Sequence, residues 1–350
     1  MEDKQKIYRA VILDGIAEIY SNVKNICGFF PVNFNEVTEI KSDSKINLIF
    51  SVEDLPRQYG HSNCSDYYCG TNDGNLIYRK YRLPCSMKAI IQLSDLNTKP
   101  AIRINKTYYR MGKIRVNDFC PPGMHLKDLL SASLIGAGYI PLHAASIVAE
   151  NRGNMLVGAA GIGKTSILAY ALQNGYPYLA DDMTVIDTEC NIFPCSGISS
   201  IAYESGLENI INGKEIKGNS LTDKITSIVP PLKYISQKPY LDINMLFPQS
   251  ELADRTRAGK VFILEKGNSE VVKISKEQAF HKIITINRME FPYSGNQLLL
   301  LYSLFNKWLD MNVLRQKEEA VIKNLVASVD CYLCSAQDPK EHFRLIQDNI

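Results

Sequence analysis

Residues 158–165 read Gly158-Ala159-Ala160-Gly161-Ile162-Gly163-Lys164-Thr165, a full match to G-x-x-x-x-G-K-[ST]. That spacing serves one kind of chemistry. Glycines let the backbone curl until successive N–H groups point at one centre, and a helix starting there adds partial positive charge. A phosphate chain fits such a seat, and ATP with Mg2+ is the ligand pair expected for it. Lys164 would reach the β- and γ-phosphates, and Thr165 would ligate magnesium. The candidate phosphate-binding set is Gly158, Ala159, Ala160, Gly161, Ile162, Gly163, Lys164, Thr165 and Ser166. A chance glycine-rich loop is the plain alternative.

Three more groups complete the candidate chemistry. Asp181 and Asp182 follow the short strand-like segment Tyr178-Leu179-Ala180. Two carboxylates at a strand end beside a phosphate loop can divide two tasks. One holds magnesium and the other takes a proton from an attacking hydroxyl. A helix cap or a solvated turn is the plain alternative. His143 lies on the preceding strand and is expected next to Asp181, where an imidazole would orient the base and tune its pKa. A buried histidine with one satisfied hydrogen bond is the alternative there.

The elements that must position these groups are legible on both sides of the loop. Met155-Leu156-Val157 is apolar and ends a strand, and residues 166–172 run without Gly or Pro as a helix. Asn174-Gly175 closes that helix. Residues 141–148 read as a strand, with a turn over 150–154 making it the hairpin neighbour of the loop strand. Residues 183–186 read as a continuation of the strand that carries the aspartates. Residues 259–265 and 271–274 read as paired strands. Helices are expected at 278–287, 297–311, 318–328 and 339–347, with a strand at 331–334. Residues 187–250 carry little periodic signal.

Residues 7–120 read as a β-rich module with strands at 7–13, 45–50, 76–81 and 89–93. A hairpin is expected from 101–105 and 113–116 about a basic, tyrosine-bearing turn, and a long surface loop over 51–74 holding Cys64 and Cys69. Cys120-Pro121-Pro122-Gly123 is the strongest punctuation in the chain. The expected organisation is a β-rich N-terminal domain, 1–123, and an α/β phosphate-loop domain, 124–350, whose first helix covers 125–135.

Composition is ordinary for a soluble globular protein. The 350 residues are 45% hydrophobic and 22% charged, with a net charge of +2. That balance gives no strong pull toward nucleic acid or an anionic membrane, and no apolar run approaches a membrane span. The charged N-terminus does not read as a signal peptide. Nine scattered cysteines beside a nucleotide loop favour free thiols in the cytoplasm.

The pattern Leu142-His143, then Gly158 to Thr165, then Gly175-Tyr176 and Leu179-Ala180-Asp181-Asp182 resembles the catalytic domain of HPr kinase/phosphorylase and its smaller relatives. Those relatives include enzymes that phosphorylate serine in precursor peptides of lasso-peptide pathways. The close match covers residues 138–187. The resemblance implies the fold shared with phosphoenolpyruvate carboxykinase and ATP phosphates on the loop. It implies Asp181 as the base, and as the acid in reverse, with Asp182 assisting magnesium and His143 supporting Asp181. Ala144 stands where the family usually has glycine, and residues 194–209 lack its later glycine-rich signature. Glu204 or Glu208 is a further magnesium candidate.

Outside that core, Arg255, Arg257 and Lys260 form a basic turn that reads either as a solvated loop or as a phosphate contact. Cys331-x-x-Cys334 lacks a second tight pair and reads as strand, not zinc site. Asn287-Arg288-Met289-Glu290 reads as a helix end. Three functions remain in view: a kinase acting on a serine or threonine hydroxyl of a peptide or protein, a kinase for a small hydroxyl compound such as free serine, and a non-catalytic nucleotide-binding regulator. The double aspartate argues against the third. A homo-oligomer is compatible with the sequence.

Overall fold

The computed structural model describes residues 6–41, 44–55, 62–64, 68–71, 76–82, 88–112, 120–196, 200–202, 240–306 and 309–350. They form a mixed α/β fold. Contacts divide them into two units. One is drawn from Met1–Ser133 and Tyr293–Leu314, the other from Leu134–Asn219, Gln237–Pro292 and Arg315–Ile350.

The first unit holds a nine-stranded sheet. Ile7–Ile12 and Ala17–Ser21 form an antiparallel hairpin. Ala17–Ser21 then runs parallel to Ile46–Glu53, which runs parallel to Ala101–Asn105. Lys88–Ser94, Leu76–Arg82, Tyr68–Thr71 and Ser62–Cys64 continue the sheet antiparallel. The span expected as a surface loop therefore contributes strands. The expected basic turn after residue 105 is instead the helix Lys106–Gly112. Its cause is local: the side chain of Asn105 accepts the N–H of Tyr108 at 3.0 Å and so caps the helix. Residues 113–116, the other arm of the expected hairpin, lie outside the described residues. The two helices expected at 297–311 and 318–328 are Gln297–Phe305 and Met311–Ser328, so the first ends and the second begins earlier than expected.

In the second unit, Arg152–Val157 lies between Ala144–Ala149, its antiparallel hairpin partner, and Thr256–Lys266, its parallel neighbour. The hairpin turn is tight. Glu150 and Asn151 both have positive φ, 51° and 60°, as a two-residue primed turn requires. Thr256–Lys266 does not pair with Glu270–Lys273 as expected. Asp330–Ala336 lies between them, parallel to the first and antiparallel to the second.

Two other departures shape the site. The strand expected over 141–148 breaks at His143, so Ile140–Leu142 pairs with Thr184–Ile186 while Ala144–Ala149 pairs with Tyr178–Ala180. Residues 184–186 accordingly do not continue Tyr178–Ala180. Both chains change partner at the same level, one at His143 and the other at Asp181-Asp182. Thr184 stitches this crossing, its hydroxyl donating to the Ala144 carbonyl at 2.9 Å.

Helix Lys164–Gln173 packs Ile167, Leu168, Ala171 and Leu172 into a core shared with Leu156, Phe262 and Phe343. It ends in a Schellman motif. Tyr176 N–H bonds the Ala171 carbonyl and Gly175 N–H the Leu172 carbonyl, both at 3.1 Å, with Gly175 at φ 80°. Helix Pro339–Gln347 starts as its sequence dictates, with proline in the first turn and Asp338 capping Glu341 N–H at 3.0 Å. Among the described residues no helix is long and apolar enough to cross a membrane.

Candidate active site

The glycine-rich loop leaves the carboxyl end of Arg152–Val157 and enters helix Lys164–Gln173 directly. Gly163 has φ 103°, and a Cβ there would lie 2.7 Å from Pro339 Cγ. Only glycine satisfies both the left-handed backbone and the closeness of the last helix.

Lys164 is buried, with its ammonium held by three acceptors. It donates to the carbonyls of Gly158 (2.7 Å) and Ala159 (3.2 Å) and meets His143 Nε2 at 2.9 Å. An ammonium has only protons to offer, so Nε2 accepts and the ring proton belongs on Nδ1. Nδ1 lies 3.2 Å from the Asp182 carbonyl and 3.3 Å from its Oδ1. Burial, and next the Lys164 charge, hold the His143 pKa below its ordinary value. The neutral imidazole thus bridges lysine and aspartate. Its ring packs edge-on against Phe291, and its backbone N–H donates to Asn287 Oδ1 at 3.0 Å.

Sequence spacing placed His143 beside Asp181, but its ring nitrogens face Asp182, Lys164 and Glu290. Asp181 is buried against the loop helix instead. The Thr165 hydroxyl lies 3.2 Å from both of its carboxylate oxygens. Asp182 has φ 65° and centres a γ-turn closed by Met183 N–H on the Asp181 carbonyl at 2.7 Å. Such a turn is strained, and it sends two successive carboxylates in different directions. Cys195 is buried close by, and burial together with both carboxylates pushes its thiol up to about 12. It stays protonated and inert.

Glu290 was read as part of a helix end. It is the last residue of helix Lys276–Glu290, and its Oε1 accepts the backbone N–H of Ala160 at 2.8 Å. Its Oε2 lies 3.8 Å from His143 Nε2. Asn287, one turn earlier, also donates to the fully buried Glu318 at 2.7 Å. The contacts to Ala160 and His143 join residues more than a hundred positions apart, and no local motif announces them.

The remaining candidates fall elsewhere. Thr256–Lys266 is in parallel register with the loop strand, Gly153 opposite Ala258 and Val157 opposite Ile263. Arg255, Arg257 and Lys260 therefore sit toward the end of the sheet away from the loop, about 13 Å or more along the strand. Arg255 lies over the Phe193 ring, and Lys260 bonds the Asn349 carbonyl. Of the two readings of this turn, its placement favours the one without a phosphate contact. Ser166 is buried in the first turn of the loop helix. Glu204 and Glu208 lie outside the described residues. Burial raises the thiols of Cys331 and Cys334 to about 11 and about 12. Among the described residues no cluster of three or more His, Cys, Asp or Glu side chains forms a ready metal cage.

No family model matches the chain, and no curated protein matches it. Among solved structures, it is similar to the Hpr(Ser) kinase/phosphatase from Coxiella burnetii. That match covers 60% of this chain and 95% of that one, at 11% identity and a TM-score of 0.30. A likeness of that size assigns no residue a role, and the site stands on its own geometry.

Proposed function

We propose that this protein is an ATP-dependent kinase that transfers the γ-phosphoryl group to a serine or threonine hydroxyl of a peptide or protein. One observation carries the reading. The motif threonine, Thr165, meets a strand-end carboxylate, Asp181, while the motif lysine, Lys164, meets His143.

The residues present suit the ligands. A loop N–H already donates to an anionic oxygen, that of Glu290. Thr165 and Asp182 offer hard oxygen donors, and Mg2+ beside a nucleotide needs only one or two from protein. Bound there, Mg2+ supplies neutralisation of charge on the phosphate oxygens. Lys164 would exchange loop carbonyls for β- and γ-phosphate oxygens. Asp181, already an acceptor for a hydroxyl, takes the proton of the substrate hydroxyl. As the new O–P bond forms, the bond from the γ-phosphorus to the bridging oxygen breaks and ADP leaves with that electron pair. Asp182, half-exposed and held by His143, is the second carboxylate, on the cation side. An extended peptide could add to an edge of the nine-stranded sheet, which favours a peptide acceptor. The finer reading is a precursor peptide of a ribosomal natural product, modified in the cytoplasm.

The test is single-turnover transfer from ATP to serine peptides and to free serine at several magnesium concentrations. Asp181→Asn should still bind ATP while transfer falls by on the order of a hundredfold. Asp182→Asn should lose less and recover with magnesium. Magnesium rescue of Asp181→Asn alone would exchange the two roles, since Asp181 touches Thr165. Labelling of free serine alone would move the assignment to a small-molecule kinase. ATP binding with no transfer to any hydroxyl would leave a nucleotide-binding regulator.

A further inference from the structure

Glu290 is placed where a loop of this kind would hold a phosphate oxygen. Its Oε1 takes the N–H of Ala160 at 2.8 Å, and its side chain is only 18% exposed. Among the described residues its one basic contact within 4.0 Å is the ring of His143, at 3.8 Å. Lys164 meets that same Nε2 at 2.9 Å, so the nitrogen nearest Glu290 is an acceptor and has no proton to give it. Glu290 also ends a helix, where the backbone carbonyls present negative potential and a carboxylate is disfavoured. What holds it there is the loop amide.

The helix is fixed so that Glu290 arrives at this point. Asn287 lies three residues earlier on the same helical face. It is tied to the His143 backbone at 3.0 Å and to buried Glu318 at 2.7 Å. Arg288 points elsewhere, its guanidinium on Glu319 at 2.7 Å. The last turn is thus anchored on both sides, and the carboxylate at its tip is directed onto the loop.

We propose that Glu290 is an internal occupant of the phosphate seat, a carboxylate that incoming polyphosphate must displace and that sets the threshold for nucleotide binding. The inference rests on reading the loop as a phosphate site. A carboxylate on a backbone N–H is a charge-assisted bond of the strength that would weaken a competing ligand about tenfold to a hundredfold.

The experiment is calorimetric titration with ATP–Mg2+, and separately with pyrophosphate, of the full chain and of Glu290→Gln and Glu290→Ala. Glu290→Ala should bind both ligands about tenfold or more tighter than the parent. Glu290→Gln keeps an acceptor oxygen and loses the charge, so it should fall between them. Equal affinities overturn the proposal, and so does weaker binding by Glu290→Ala, which would make Glu290 a support of the seat. If Glu290→Ala does not fold, a Glu290→Gln affinity no tighter than the parent's overturns it. Absence of binding by all three proteins removes the phosphate-loop reading itself, and this inference with it.

Discussion

Replacing Asn287 by alanine tests how the site is held to its scaffold. Asn287 is 2% exposed and makes two buried hydrogen bonds. Its Oδ1 accepts the backbone N–H of His143, at the point where that chain changes strand partner. Its Nδ2 donates to Glu318, whose side chain is 0% exposed. Alanine leaves the first donor without its acceptor, at a cost of about 1–3 kcal/mol, and removes a charge-assisted bond of about 1.5–3 kcal/mol from the second. The cavity is small and adds less than either. A total loss of about 3–5 kcal/mol is therefore expected, a large share of the roughly 5–15 kcal/mol by which domains are stable. Urea denaturation followed by circular dichroism measures it, with ATP titration of the folded fraction as a second readout. A loss below about 1 kcal/mol, with ATP affinity unchanged, would refute the claim that Asn287 ties the helix to the His143 break.

Two other predictions concern stability. Burial raises the Asp128 carboxyl to about 6, partly offset by the Asn296 amide that donates to it at 2.7 Å. A folded pKa above the unfolded value of 3.8 gives stability that is full below pH 4 and lost as pH rises through about 6. Asp128→Asn should therefore match the parent near pH 4 and exceed it at pH 8 by on the order of 3 kcal/mol, and melts showing a pH-independent difference would contradict this. Gly163→Ala imposes an unfavourable φ and a contact of 2.7 Å with Pro339, for a loss of about 2 kcal/mol or more; adding Pro339→Ala should recover part of it in thermal melts, and strict additivity of the two changes would show that the contact does not matter.

What the sequence made legible was local. The loop motif, the helix after it, its glycine stop, and the Asp338-Pro339 start of the last helix all depend on residues a few positions apart. The helix over 106–112 was legible in principle too, because Asn105 is a cap, but the tyrosines beside it suggested a hairpin turn. Sheet order was not legible. Residues 183–186 look like more of the strand before them, and only the γ-turn at Asp182 separates the two. Nor does any local signal place Asp330–Ala336 between two strands that are neighbours in sequence. The neighbours of the candidate residues were therefore legible only in part, and His143 was set against Asp181 although its ring faces Asp182. Glu290 and Asn287 were passed over because a polar helix end is common and its partners lie far away in the chain.

The candidate site answers each of its own demands from within. A buried ammonium needs acceptors, and Lys164 finds two carbonyls and an imidazole. A loop amide needs an oxygen, and Ala160 finds Glu290. A threonine hydroxyl meets Asp181. Buried polar groups left unpaired are costly, so a seat for a highly charged ligand must either be satisfied from the chain or stand open to water. Satisfaction from the chain has a consequence for binding. Each internal partner lowers the free energy of the ligand-free state, and affinity is the difference that remains after those contacts are exchanged. On the proposed reading of the loop, the strength of nucleotide binding would be set as much by His143 and Glu290, which hold Lys164 and the Ala160 amide in the free protein, as by Lys164 and Thr165, which would hold the phosphates.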